Sequence, residues 1–177
     1  MMLKKIFLIC GLLVFLMAFS VPEKVMKKAE KVIEKQLETD DFITEFITIP
    51  EEFNKQTASH FGDDNFFRIK IGNTTTGYGY IGNAPSKTAT FDYLVLFDTN
   101  FIITKSSVLI YREEYGGEIG SKRWLKQFLG KSYQTPELKY REDIIPISGA
   151  TISVRSMTRA MNDLLQSLGT LQKLNAL

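Results

Sequence analysis

The sequence predicts an α+β protein, in which helices pack on an antiparallel sheet. We expect a single domain after an N-terminal signal or anchor and an amphipathic helix. Apolar residues recur at helical spacing near both ends of the 177-residue chain, and the middle alternates apolar and polar residues between clusters of turn-forming residues. Helices and strands that occupy separate parts of a chain are typical of α+β proteins. The expected boundaries are 1–20, 21–40 and 41–177.

Residues 1–20 have the pattern of a secretory signal peptide. Two lysines precede an apolar run of 14 residues, and Ala18 and Ser20 supply the small residues of a cleavage site. A membrane-spanning helix needs about 20 apolar residues, so the signal peptide is the favoured interpretation and an uncleaved anchor is the alternative. Both predict an exported protein, either periplasmic or held at the outer face of the cytoplasmic membrane.

Residues 21–40 predict an amphipathic helix, since Pro22 suits a first helical turn. The apolar residues that follow at helical spacing are Val25, Ala29, Val32, Ile33 and Leu37. Five lysines give the helix a basic character: Lys24, Lys27, Lys28, Lys31 and Lys35. We expect a helix packed against the domain with its lysines in solvent. The alternative is a membrane-associated foot resting on anionic lipid.

The middle of the chain predicts antiparallel hairpins. The expected strands lie at 67–71, 78–81, 93–97, 101–103 and 107–111. Turns at 72–77 and 98–100 separate them, because both stretches are rich in residues that favour turns. Residues 82–87, Gly-Asn-Ala-Pro-Ser-Lys, predict a loop between two sheet segments.

Two helical patterns follow the strands. The first is short and runs from Trp124 to Leu129. The second begins near Thr151 and has charged residues such as Arg155 on its outer face. Its apolar face consists of Ala150, Val154, Met157, Met161, Leu164 and Leu168.

The turn before this last helix, Ser148-Gly149-Ala150-Thr151-Ile152-Ser153, is a candidate phosphate site. The first turn of a helix leaves backbone N–H groups unpaired and carries the positive end of the helix dipole. Ser148, Thr151 and Ser153 add hydroxyl groups, and Gly149 lets the backbone approach a ligand closely. The alternative is that Ser148 or Thr151 is only an N-cap.

Composition excludes several classes of function. Removal of Lys4 and Lys5 with the signal leaves 20 of the 22 Lys and Arg, which equals the 20 Asp and Glu, so nucleic acid is not expected as a partner. The same cleavage removes the single cysteine, Cys10, and with it disulfide, thiolate and iron–sulfur chemistry. One histidine, His60, does not make a histidine-rich metal site. Any redox cofactor must therefore be organic.

The tetrapeptide Ser148-Gly149-Ala150-Thr151 resembles the signature of the FMN-binding domain family, which is found in the sodium-translocating NADH:quinone reductase and in the Rnf electron-transport complex. The resemblance covers about residues 65–168. It implies FMN as cofactor, esterified through its phosphate to Thr151 by a flavin transferase, with Ser148, Gly149, Ala150 and Ser153 around the phosphate. The family usually has an acidic residue at the position of Ile145.

An upstream loop extends the resemblance. Glu114-Tyr115-Gly116-Gly117, followed by Trp124 and Phe128, is similar to the family's glutamate- and glycine-containing loop before a short helix. The resemblance implies that this loop lies over the flavin, where glycine permits close approach of the backbone. Glu113 and Glu114 are adjacent and would face opposite ways in a strand, so they do not form an acid–base pair. The aromatic candidates for stacking on the flavin are Tyr78, Tyr80, Tyr111, Tyr115 and Trp124.

The sequence thus predicts an exported FMN-binding electron carrier. A turnover enzyme is less expected because no second group of residues for a substrate is present, and we predict neither catalytic residues nor a metal site. The expected partners are a flavin transferase and a membrane or periplasmic redox protein. Two alternatives stay open: noncovalent FMN binding, and a cofactor-free exported interaction module with the same fold.

Overall fold

The computed structural model describes residues 20–177, and the predicted signal or anchor, apart from Ser20, lies outside them. Five strands form one sheet in chain order, and each strand is antiparallel to the next. They are β1 (Ile43–Phe46), β2 (Phe66–Ile71), β3 (Thr74–Pro85), β4 (Thr90–Phe97) and β5 (Ile103–Tyr111). The helices are α1 (Glu23–Leu37), α2 (Glu51–Asn54), α3 (Lys122–Leu125) and α4 (Thr151–Lys173). The predicted α+β fold is confirmed.

Helices cover both faces of the sheet. Val25, Ala29 and Ile33 of α1 are buried in a cluster with apolar side chains of β2 to β5. Lys28 Nζ donates to the carbonyl of Leu109, 2.9 Å away, which ties α1 to β5. The opposite face carries the larger core, where α4 packs together with α3. The α1 helix therefore packs against the domain, as expected from its apolar stripe.

The helix α4 confirms the periodicity seen in the sequence. It begins at Thr151, and its apolar stripe is buried in the core. The fully buried members include Val154, Met157, Met161, Leu164 and Leu168. Burying a side chain of this size stabilises the fold by about 1.5–3 kcal/mol. The packing of this stripe fixes the position of the turn at the start of α4.

The loop predicted over residues 82–87 is wrong for residues 82–85, because β3 continues to Pro85. Gly82 pairs with Tyr93 across the β3–β4 ladder, and the Tyr93 ring occupies the space that a Gly82 side chain would need. A glycine inside a strand often marks such a close approach rather than a chain break. The side-chain amide of Asn83 donates a 2.6 Å hydrogen bond to Asp92 Oδ1, which holds Asn83 in the ladder.

Two turns are placed differently from expectation. The turn predicted over 72–77 is confined to Gly72 and Asn73, because β3 already begins at Thr74. The strand predicted at 101–103 begins only at Ile103, since Phe101 adopts a φ of +58°. The Asp98 carboxylate accepts 2.9 Å bonds from the N–H groups of Asn100 and Ile102, which closes a wider turn.

Among residues 20–177, no helix has both the length and the apolar character needed to cross a membrane.

Candidate functional site

The turn before α4 is held open to solvent. Gly149 adopts a φ of +75°, a conformation that glycine reaches without steric cost. A Cβ placed on Gly149 would have no atom within 4 Å apart from its neighbours in the chain. The N–H of Ala150 donates to the carbonyl of Ile147, 3.2 Å away. Ser148 and Thr151 on either side are exposed, whereas Ala150 is buried. The backbone of Gly149 can therefore be approached closely from outside.

The first turn of α4 has unpaired backbone donors. Ala150 is the N-cap residue, and within residues 20–177 no side chain accepts a capping bond at this end. The bond from Val154 N to Ala150 O, at 2.9 Å, belongs to the first turn, so Thr151, Ile152 and Ser153 have no intrahelical acceptor for their N–H groups. Neither Ser148 nor Thr151 acts as an N-cap. The helix start thus offers donors and a positive dipole end to an anion.

The structure brings the upstream loop against this turn. Gly116, with a φ of +79°, lies so close to Ala150 that a Cβ on Gly116 would be 2.5 Å from the Ala150 Cβ. The Tyr111 hydroxyl donates to the carbonyl of Tyr115 at 2.9 Å and anchors the loop to the end of β5. The two segments that the sequence singled out, about 30 residues apart, therefore form one surface.

A hydrogen-bond network centred on Glu113 fixes the loop. The Glu113 Oε1 atom accepts bonds from Ser86 Oγ at 2.6 Å, Thr88 N at 2.7 Å and Ala89 N at 3.0 Å. Its Oε2 atom accepts from Thr88 Oγ1 at 3.0 Å. These hydrogen bonds lower the pKa of Glu113 from its ordinary value near 4.5 to about 2, and the bond from Ser86 has the largest effect. Glu113 therefore ties the 86–89 turn to the loop as a carboxylate.

Ser153 joins this network from the helix. Its hydroxyl donates to Ser86 Oγ at 3.1 Å and lies 3.2 Å from the Tyr111 hydroxyl. The residue is only 3% exposed, so its side chain faces inward while its N–H stays in the first turn of α4. The sequence did not predict the role of Ser86. The hydroxyl-rich stretch Ser-Lys-Thr after Pro85 is the signal that could have indicated it.

The Glu113 network predicts a specific acid sensitivity. Because the folded-state pKa lies below the unfolded value, the network stabilises the fold above about pH 4.5 and loses this contribution as pH falls towards about 2. We expect Glu113→Gln to lower the melting temperature at neutral pH and to differ less from the wild type at pH 2. Thermal melts across this range measure it. Glu114→Gln, at an exposed neighbour, is the matched control and should track the wild type.

The remaining predicted site residues lie on the exposed side. Glu114 and Gly117 are exposed, and the Tyr115 side chain is 78% exposed. Ile145 is 67% exposed and Ile152, in the first turn of α4, is 49% exposed. Apolar surface thus borders the polar turn, an arrangement suited to a ligand with a phosphate at one end and a flat apolar body at the other.

The aromatic candidates separate into two groups. Tyr80 and Trp124 are buried in the core, and burial raises the pKa of Tyr80 to about 12. Tyr78 stacks on Phe101 with ring centroids 4.4 Å apart. Only Tyr111 and Tyr115, of the five, lie in the segment that packs against the turn at Ala150. The other three serve packing.

A cleft of about 870 Å³ lies elsewhere, along residues 80–83 of β3. Its lining includes Tyr80, Tyr93 and Asp163 and contains none of residues 148–153. Burial is the main cause that raises the pKa of Asp163. The candidate phosphate site is therefore not in this cleft but on the exposed surface at the start of α4.

The residues at the turn fit the group that the resemblance implies. Unpaired N–H groups, the open approach to Gly149 and the exposed hydroxyl-bearing residues Ser148 and Thr151 suit a phosphate. A comparison with curated proteins gave no match. Residues 88–166, which include both segments of the site, match the family model described as FMN-binding domain. This part of the chain is therefore similar to the FMN-binding domain family, and FMN is the cofactor that the similarity implies.

Proposed function

We propose that this protein is an exported electron carrier whose FMN is joined through its phosphate to Thr151. The observation that carries the proposal is the exposed Thr151 at the first position of a helix that no side chain caps, next to the open approach at Gly149. A phosphate on this residue meets the N–H groups of the first turn and the positive end of the α4 dipole. The match of the FMN-binding domain to this region supports the same assignment.

Attachment needs a separate flavin transferase. Forming the ester joins the Thr151 hydroxyl oxygen to the FMN phosphorus of a flavin dinucleotide donor. The phosphoanhydride bond of the donor breaks, a nucleoside monophosphate leaves, and the hydroxyl proton passes to a base. A threonine hydroxyl is a weak nucleophile unless a base activates it. Within the described part of the chain, no group is hydrogen bonded to the Thr151 hydroxyl. An external enzyme therefore supplies the base and the donor.

The remaining site residues position the cofactor. Ser148, Gly149 and Ala150 would hold the phosphate, and the Tyr115-Gly116-Gly117 loop would contact the flavin. The Glu113 network holds that loop in place. When bound, FMN supplies the redox chemistry, and the protein fixes its position and tunes its potential. A redox partner in the membrane or periplasm exchanges the electrons.

Cleavage after Ser20, which belongs to this proposal, would place the new N-terminus beside a carboxylate. The Val21 N–H donates to Asp64 Oδ2 at 2.6 Å, and α1 begins two residues later at Glu23. Cleavage before Val21 would turn this amide into an α-ammonium group beside the Asp64 carboxylate. An ion pair would then replace a hydrogen bond from an uncharged amide and would hold the new N-terminus.

Intact mass of the protein secreted by its native host tests the proposal. The expected mass is that of the chain from Val21 plus one FMN less one water, and peptide mapping should place the adduct on Thr151. An adduct on Ser148 or Ser153 would contradict the assignment. Yellow protein that loses its flavin on denaturation would establish noncovalent FMN, and colourless protein would favour the cofactor-free module.

Ile145 predicts how readily this chain is flavinylated. Its N–H donates to Gln127 Oε1 at 2.7 Å and its carbonyl accepts from Trp124 Nε1 at 2.8 Å, while the side chain is free in solvent. A carboxylate at this position would help to hold the cation that accompanies a flavin nucleotide during phosphoryl transfer. We therefore expect Ile145→Asp to raise the flavin yield with a transferase whose usual substrate has the acidic residue at this position. The substitution should not lower the stability of the fold.

In-gel flavin fluorescence of wild type and Ile145→Asp, each co-expressed with the same transferase, measures this yield. Ile152→Asp is the control, because it adds a carboxylate at another exposed isoleucine of the site. Complete labelling of the wild type would show that the acid at position 145 is dispensable.

A further inference from the structure

The segment between α3 and α4 runs along one flank of α4. Asn162 anchors it, because its amide accepts from Leu138 N and donates to Leu138 O, both at 2.9 Å. From Leu138 the chain returns towards the start of α4 and reaches Ser148 and Thr151. Tyr140 therefore lies on the flank of α4 between Asn162 and Thr151.

Two guanidinium groups contact the ring of Tyr140. The Cζ atom of Arg155 lies 4.9 Å from the ring centroid, and that of Arg141 lies 5.5 Å from it. Both distances are within the range of cation–π attraction. Arg141 also adopts a φ of +74°, uncommon for a residue with a side chain. The Tyr140 ring thus contacts two positively charged side chains.

The acidic residues of the same segment are engaged elsewhere. Glu142 pairs with Lys139 Nζ at 3.3 Å, and Asp143 Oδ2 accepts from Lys139 N at 2.9 Å. Across residues 20–177, neither Arg141 nor Arg155 is in an ion pair. Two guanidinium groups on one aromatic ring, without a carboxylate partner, form a local positive field that suits an anion.

Helix geometry directs Arg155 towards Thr151. The two residues are four positions apart in α4, so they lie on the same face with Cβ atoms about 5–6 Å apart. Side chains on a helix lean towards its N-terminus, which carries the Arg155 guanidinium towards the turn. Both residues are exposed. A phosphate on Thr151 is therefore within reach of Arg155.

We propose that Arg155 and Arg141, held on the ring of Tyr140, bind the flavin phosphate at Thr151 as a guanidinium clamp. The inference rests on the proposed placement of that phosphate. A guanidinium presents a planar fork of N–H donors that matches two phosphate oxygens, and the ring restricts its motion before the ligand arrives. The clamp adds charge to a turn that otherwise offers only backbone donors and hydroxyls.

Binding of inorganic phosphate and of FMN to protein made without a transferase tests the clamp. Amide NMR signals of Thr151 to Ser153 report the phosphate titration, and flavin fluorescence reports FMN and riboflavin. We expect Arg155→Gln to weaken phosphate and FMN binding about tenfold and to leave riboflavin binding unchanged, because riboflavin has no phosphate. Arg141→Gln should have a smaller effect in the same direction.

Two control variants separate the clamp from general charge and from packing. Arg159→Gln removes an exposed arginine one turn further along α4 and should leave both dissociation constants unchanged. Tyr140→Phe keeps the ring and should bind as the wild type, whereas Tyr140→Leu should resemble Arg155→Gln. Circular dichroism checks that each variant is folded.

Equal phosphate affinity of wild type and Arg155→Gln would overturn the clamp, as would a wild type that binds no phosphate. The proposed function fails separately, when protein co-expressed with a transferase carries no adduct on Thr151. A clamp that binds phosphate in a protein never flavinylated would leave this inference standing and remove the covalent assignment.

Discussion

Thr151→Val is expected to abolish covalent flavin attachment completely. The substitution replaces the hydroxyl by a methyl group of similar size, so the shape of the side chain is kept while the only atom that can form the ester is lost. In-gel fluorescence after denaturation, with protein co-expressed with its transferase, should fall from full labelling to background. Covalent label that persists in the variant would contradict the assignment.

The fold should tolerate this change. Thr151 is exposed, no capping bond depends on its side chain, and valine and threonine have similar helix propensities. We therefore expect the melting temperature of the apo variant to stay close to that of the wild type. Thr170→Val, further along α4, is the matched control, because it removes a hydroxyl that only bonds the Gln166 carbonyl at 3.1 Å. This control should be labelled fully.

The elements with strong periodicity were predictable from the sequence. The α4 stripe of Val154, Met157 and Met161 repeats every three to four residues, which leaves one orientation for the helix, and the sequence predicted a start near Thr151, where the helix begins. The hairpin of β4 and β5 was equally plain as a pairing. Its turn was not, because the Asp98 carboxylate widens it by local hydrogen bonds and places Phe101 at positive φ.

Errors arose where a distant residue decides the local structure. Gly82 and Pro85 predict a loop on their own, but the Tyr93 ring packs across Gly82 and β3 continues. The inward position of the Ser153 hydroxyl was likewise not visible in the sequence, because Ser86 and Tyr111, which contact it, lie far from it in the chain. Such contacts between segments far apart in the chain leave no pattern in either one.

The turn at the start of α4 and the proposed clamp also differ in how visible they are in the sequence. The Ser148 to Thr151 turn was visible because its residues are contiguous and precede a helix. The clamp of Arg141, Tyr140 and Arg155 was not, since residues 130–147 show no helical or strand periodicity that would place Tyr140 beside α4. The hydrogen bonds between Leu138 and Asn162 and the packing of Tyr140 against the core bring it there.

Gly116→Ala should loosen FMN binding by disturbing both segments of the site at once. The added Cβ would lie 2.5 Å from the Ala150 Cβ, closer than carbon atoms approach, and the φ of +79° costs a residue with a side chain about 1–2 kcal/mol. Either the loop or the turn must move. We expect a lower melting temperature and at least tenfold weaker noncovalent FMN binding, measured by thermal melts and equilibrium dialysis of apo protein.

Three further variants identify the cause. Gly149 has a similar positive φ, +75°, but a Cβ placed there would meet no atom within 4 Å. Gly149→Ala should therefore lower the melting temperature through backbone strain, with a smaller loss of FMN affinity. Gly120→Ala, outside the loop, has no positive φ and would make only an ordinary 3.8 Å contact with Val108 Cβ, so it should match the wild type. Ala150→Gly combined with Gly116→Ala removes the opposing Cβ and should restore part of the lost affinity. If the double variant binds FMN no better than Gly116→Ala, the contact between the loop and the turn does not position the cofactor, and strain at Gly116 alone accounts for the loss.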